Sequence, residues 1–157
     1  MSKSSLLLFD IDGTILTSGG AGETALRQGF RDEFGLEENL TQIDISGRTD
    51  SSIARQVLAK HGIDATQENI ERFFNGYLRS LEIQLPLKSG RLLPGIRDLL
   101  QTLSSIPSVC LGLLTGNLKR GAKLKLQHYG VDHLFELGAF ADDHHDRNQL
   151  GPFALER

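Results

Sequence analysis

The chain has 157 residues, a formal net charge of −3 and one cysteine, which suits one domain with a substantial core, or a small core plus an inserted helical unit. The charge balance argues against a nucleic-acid or membrane-surface binder, and a lone cysteine excludes an internal disulfide. The N-terminus carries one lysine, Lys3, and a four-residue apolar run too short for a signal peptide or membrane span, so cytoplasmic residence is expected.

The first predicted element is Leu6-Leu7-Leu8-Phe9, an apolar run bounded by Ser4-Ser5 and a turn. It reads as a strand buried on both faces of a parallel sheet. It leads into Asp10-Ile11-Asp12-Gly13-Thr14, so two carboxylates stand at the carboxyl end of the strand, where open sheets bind ligands. Such neighbours repel unless a cation lies between them or one stays protonated. Mg²⁺ is the expected partner, because it takes oxygen ligands and shares them with substrate phosphate. An aspartate here can also act as a nucleophile, forming an aspartyl-phosphate. The alternative is an ordinary strand ending in an Asp-Gly turn.

A glycine-rich stretch, Ser18 to Gly22, then reads as a linker or hinge. Three helices are predicted after it. Ala25, Leu26, Gly29, Phe30 and Phe34 form one face of the first, which Gly35 ends. Asp50 or Ser51 caps the second, which carries Ile53, Val57 and Leu58 and stops at His61-Gly62. Thr66, with Asn69 in place of the usual acid, makes a partial capping box for the third. Its stripe is Ile70, Phe73, Phe74, Tyr77, Leu78 and Leu81.

From Leu92 the pattern alternates helix and strand. Pro94-Gly95 opens a helix with Ile96, Leu99, Leu100 and Leu103 on one face, and Pro107 ends the turn after it. Val109 to Leu114 is a second buried strand, in which Cys110 is inert packing. Leu118 to Tyr129 reads as a helix and Glu136 to Ala141 as a short third strand. Such alternation implies a parallel sheet wound with helices.

The second strand delivers Thr115-Gly116-Asn117 to its carboxyl end. The Thr115 hydroxyl there can donate to a phosphoryl oxygen, and the backbone N–H groups of Gly116 and Asn117 can cradle an anion; plain helix capping is the alternative. Lys119, Arg120, Lys123 and Lys125 read as the solvated face of a helix. In Asp142-Asp143-His144-His145-Asp146, the adjacent histidines are expected to point apart, so the segment reads as a rim loop and not a zinc site.

Asp10, Asp12, Gly13 and Thr14 match the D-x-D-G-T motif of the haloacid-dehalogenase-like (HAD) hydrolase superfamily, which the chain resembles, most closely in its phosphoglycolate-phosphatase-like branch. The resemblance implies an α/β fold: a Rossmann-like three-layer core with a parallel sheet at 1–16 and 92–157, plus an inserted α-helical cap at 17–91. It implies a Mg²⁺-dependent phosphatase of a small phosphorylated metabolite. Asp10 would be the nucleophile and a Mg²⁺ ligand. Asp12 would be the general acid and base, binding Mg²⁺ through its backbone carbonyl. The aspartate at the second position points away from the dehalogenases, which lack that acid.

Leu113 to Asn117 resembles the family's second motif, with Thr115 in the hydroxyl position and Gly116 and Asn117 binding substrate. The third should supply a cation; Arg147, five residues before Pro152, has the spacing of the usual lysine and grips phosphate with two donors. In the cap, Arg48 of Ser46-Gly47-Arg48-Thr49-Asp50 either meets a substrate carboxylate or phosphate or belongs to a structural turn. A fourth, acidic motif that completes the family's metal site is expected beyond Arg157, which makes the sheet incomplete and the chain a fragment. The first strand is then expected to keep an unpaired edge that favours self-association. A phosphomutase of the same superfamily and a non-catalytic phosphate-binding or assembly domain are the other readings.

Overall fold

The computed structural model describes residues 5–157, so the expectations on Lys3 and Ser4 fall outside the described residues. In chain order the elements are β1 (Ser5–Phe9), β2 (Leu16–Thr17), α1 (Ala21–Phe34), α2 (Asp50–Lys60), α3 (Gln67–Gln84), β3 (Arg91–Leu92), α4 (Ile96–Ser104), β4 (Val109–Leu114), α5 (Lys119–His128), β5 (Leu137–Ala139) and α6 (Leu150–Glu156). Short 3₁₀ turns occupy Leu85–Leu87, Asp132–Leu134 and Arg147–Gln149. The α/β class with a parallel sheet is as expected.

The sheet runs β1-β4-β5, all parallel. Phe9 pairs with Leu113 and Leu114 with Ala139, so the three carboxyl ends lie side by side. Ile11, Ile15, Leu100, Leu111 and Leu126 form the core packed about this sheet. Two expectations need correction. Leu6 to Phe9 are half-buried and not enclosed on both faces, because β1 has a hydrogen-bonded neighbour, β4, on one side only among the described residues. On α4 only Leu100 is fully buried, while Leu99 is 46% exposed; the helix meets the sheet along a narrower stripe than its pattern suggests.

The helices from α1 to α3 bury a second cluster containing Phe30, Val57, Phe73, Tyr77 and Leu81. Phe30 stacks on Phe34 at 5.0 Å between ring centroids and meets Phe73 at 5.8 Å. The ends form as their residues dictate: Gly35 takes a left-handed φ of 67° and returns its N–H to the Arg31 carbonyl, and the Thr66 side chain accepts from Asn69 N at 3.2 Å. The cap of α2 is Thr49, whose hydroxyl accepts from Ser52 N. Neither Asp50 nor Ser51 caps that helix, since both side chains are engaged by groups outside it.

The stretch Ser18 to Gly22 is partly helical, since α1 starts at Ala21. Beside it, β2 and β3 pair antiparallel, Leu16 with Leu92 and Thr17 with Arg91. This ribbon, absent from the sequence reading, joins the points where the chain leaves the sheet unit and returns to it.

Glu38, 3% exposed, clamps the loop between α1 and α2. Its carboxylate accepts from Lys60 Nζ and His61 Nε2, each at 2.7 Å, and from the Leu40 N–H. Burial alone would raise the Glu38 carboxyl, but these donors hold it below the ordinary glutamate value. A lowered folded-state value stabilises above the unfolded pKa, and that stability is lost as pH falls through the folded one. Glu38→Gln is therefore expected to cost roughly 1–3 kcal/mol at pH 7. Thermal unfolding should show the gap between variant and parent closing as the buffer is made acidic.

Candidate active site

Asp10 leaves β1 with its carboxylate already engaged. Its Oδ1 accepts from Ile11 N at 2.8 Å, and its Oδ2 accepts from Arg147 Nη2 at 2.6 Å. Ile11 is fully buried and its carbonyl accepts from the N–H groups of Thr14, Ile15 and Leu16. That anchored turn sets Asp12 beside Asp10. Arg147 reaches across from the 3₁₀ turn before α6, whose start is fixed by Asp146 accepting from Asn148 N.

Asp12 is held from the other side. Lys125 Nζ donates to Oδ1 at 2.9 Å and to Oδ2 at 2.8 Å, and Asn117 Nδ2 donates to Oδ2 at 2.8 Å. Partial loss of water around the carboxylate would by itself raise the Asp12 carboxyl. Lys125, then Asn117 and the charge of Arg147, together bring it below the ordinary aspartate value, so it is ionised in the resting site.

Thr115 is fully buried, and its hydroxyl oxygen accepts from Asn117 N at 3.2 Å and Asn117 Nδ2 at 2.8 Å. The hydroxyl proton remains to be given to another group. At Gly116, a Cβ would collide with the Arg48 carbonyl, so a glycine is required where the helical unit crosses this loop. The crossing is stitched by Asp50 N to Gly116 O at 2.7 Å, Leu118 N to Asp50 Oδ2 at 2.8 Å, Thr49 Oγ1 to His145 O at 2.5 Å and Ser51 Oγ to Ala141 O at 2.8 Å. Burial pushes the Asp50 carboxyl up to about 6, against the opposing pull of Lys125 and the Leu118 N–H.

These groups surround a cavity of about 440 Å³, within the range of small-molecule sites. Asp10, Asp12, Arg48, Gly116, Asn117 and Arg147 all line it, together with Lys125 and Tyr77. Thr115 stands behind that wall. Arg48 borders the cavity, but its guanidinium pairs with Asp44 at 2.8 and 2.6 Å.

Lys125 overturns its expectation as a solvated helix residue: it is 4% exposed and bound to Asp12. Lys119, Arg120 and Lys123 are exposed, as expected. The signal was available in the helix period, since Lys125 falls on the same face as Gly121, Ala122 and Leu126, the buried residues of α5. The histidine expectation also fails. His144 and His145 stack at 4.6 Å between centroids, because the chain there turns and is not extended. The neighbouring acids are committed elsewhere: Asp142 accepts from Lys119 N, and Asp143 accepts from Phe140 N and from Arg157.

Among the described residues, no three His, Cys, Asp or Glu side chains converge on one point, and no helix is long and apolar enough to cross a membrane. The oxygen donors at Asp10 and Asp12 fit a Mg²⁺ ion, which commonly binds one or two protein carboxylates and keeps water and substrate phosphate as its other ligands.

A model of the haloacid dehalogenase-like hydrolase family matches residues 7–153. No curated protein matches the sequence. Among solved structures, CbbY from Rhodobacter sphaeroides in complex with phosphate is similar at a TM-score of 0.76 and 16% identity, over 96% of this chain and 71% of that one. A candidate phosphoglycolate phosphatase from Lactobacillus plantarum is similar at 0.65 and 24%, over 99% and 72%. A candidate beta-phosphoglucomutase from Thermotoga maritima is similar at 0.55 and 20%, over 98% and 70%. At these identities the structural likeness speaks for the fold.

Proposed function

This chain belongs to the haloacid dehalogenase-like hydrolase family, and from that premise we propose that it is a Mg²⁺-dependent phosphatase of a small phosphorylated metabolite. The observation that carries the reading is the facing pair Asp10–Arg147 and Asp12–Lys125 at the carboxyl end of the sheet, opening on one cavity. Phosphatase and phosphomutase descriptions among the fold relatives agree with it.

Asp10 attacks phosphorus, forming an aspartyl-phosphate as the ester P–O bond breaks. Asp12 gives a proton to the departing oxygen. It then takes one from the water that attacks the aspartyl-phosphate, releasing phosphate and restoring Asp10. The ionised resting state of Asp12 suits the second half. The first half needs its protonated form, which a phosphate monoanion can supply, its second pKa being about 6. Arg147 orients Asp10 and neutralises phosphoryl charge, with the Thr115 hydroxyl and the Gly116 N–H as further donors; Asn117, whose N–H groups go to Thr115 and Asp12, fixes the loop that presents them. The Asp10 carboxylate and the Asp12 backbone carbonyl would hold Mg²⁺, which when bound adds charge neutralisation at the phosphoryl oxygens.

Residues 1–16 and 92–157 are proposed as the core and 17–91 as a cap that covers the site and selects substrates, Arg48 among its contacts. The β2–β3 ribbon at that boundary supports the division. A cytoplasmic setting and self-association through the outer edge of β1 belong to the same proposal.

Hydrolysis of 4-nitrophenyl phosphate by this chain, with Mg²⁺ and with a chelator, tests it. Turnover that requires Mg²⁺ is expected. Folded protein with no turnover would contradict the reading.

A further inference from the structure

Lys125 occupies an environment that rarely accepts a lysine. It is 4% exposed and carried on the buried face of α5 beside Ala122 and Leu126, where an unpaired ammonium is costly. All three of its donors are directed: two bonds reach the Asp12 carboxylate at 2.8 and 2.9 Å, and one reaches Asn117 Oδ1 at 2.7 Å. Asn117 is itself tied to Asp12 and Thr115 through its Nδ2. A lysine serving the phosphoryl group directly would keep a donor for it. The cation set against the nucleophile is a different one, Arg147.

We infer that Lys125 is a positioning residue, holding Asp12 at the angle from which it exchanges a proton with the leaving oxygen; the inference rests on the phosphatase reading above. The Asp12 side chain is 46% exposed on a turn, so its carboxylate has room to swing once Lys125 is gone. Lys125 supplies two of the three hydrogen bonds described for that carboxylate. Asn117 alone, with one bond to one oxygen, leaves rotation about that contact open. Lys125 does not touch phosphorus in this scheme and acts only through Asp12.

The test exploits the difference between leaving groups. A nitrophenolate departs without a proton, whereas an alkoxide requires one, and kcat/KM reports the steps up to formation of the aspartyl-phosphate. In Lys125→Met, kcat/KM for an alkyl phosphate is expected to fall about 100-fold, the lower range for lost general acid catalysis. For 4-nitrophenyl phosphate it should change far less, and Asp12→Asn should show the same split. An equal fall for both substrates would mean a structural role only and overturn the inference. Lys125→Gln, which keeps a donor without the charge, carries the same comparison if the methionine variant does not fold. A crystal structure of either variant gives a readout independent of activity: an Asp12 carboxylate turned away from its wild-type position supports the inference, and an unmoved one overturns it. Absence of turnover in the parent enzyme would remove the phosphatase reading, and the crystal structure would still decide whether Lys125 places Asp12.

Discussion

Asp10→Asn is expected to lower turnover of an aryl phosphate by at least about 10⁴-fold, the scale seen when a covalent nucleophile is removed. Asparagine keeps the shape but a single acceptor oxygen; with that oxygen facing Ile11 N, the amide NH₂ faces Arg147 Nη2 and that ion pair is lost. Arg147 is partly exposed and can turn to water, so the thermal midpoint should fall by only about 2–4 °C, the scale of a pair that contributes about 1 kcal/mol. What is lost is the anionic oxygen that attacks phosphorus, and one Mg²⁺ ligand with it. Retained turnover in a folded Asp10→Asn protein would remove the covalent mechanism.

The second large effect concerns the fold. Helices α1 and α3 meet backbone to backbone at Gly29 and Gly76: a Cβ on Gly29 would stand 2.5 Å from the Gly76 carbonyl carbon, and one on Gly76 would stand 2.6 Å from the Gly29 oxygen. The atoms in the way are backbone and cannot rotate aside, so the helices themselves must separate. That separation disturbs Phe30, Phe73 and Tyr77, which are buried around the crossing. Gly29→Val is expected to cost about 3 kcal/mol or more, a fall of roughly 6–12 °C in thermal midpoint for a domain of this size. Gly151→Ala in α6, where a Cβ meets nothing within 4 Å, is the control and should be near neutral. Equal stability of the two variants would contradict the packing described.

Much of this arrangement is legible in the sequence. Strong periodicity over long segments identified α1 and α3, since a stripe such as Ile70 to Leu81 has one way to be buried. The run into Asp10 and Asp12 located the sheet's ligand end, because parallel strands deliver their carboxyl ends together. The β2–β3 ribbon stayed hidden because strands of two residues carry no alternation to read. Asp50 was misread as a cap because its partner, the Leu118 N–H, lies 68 residues away, and local sequence holds no trace of it. Lys125 differs for another reason: its charge points to the solvated face, whereas its helical phase sets it on the buried one. The long-range ion pair to Asp12 is what makes its burial tolerable, and only the fold brings the two together.

The most direct measurement on the central claim is to trap the intermediate. The enzyme would be mixed with Mg²⁺ and substrate, quenched in acid within the first turnover, digested and analysed by mass spectrometry. A hydroxylamine-sensitive phosphoryl adduct on the peptide bearing Asp10, absent from Asp10→Asn, is the predicted result. Turnover with no adduct, or with the adduct on another residue, would contradict the account.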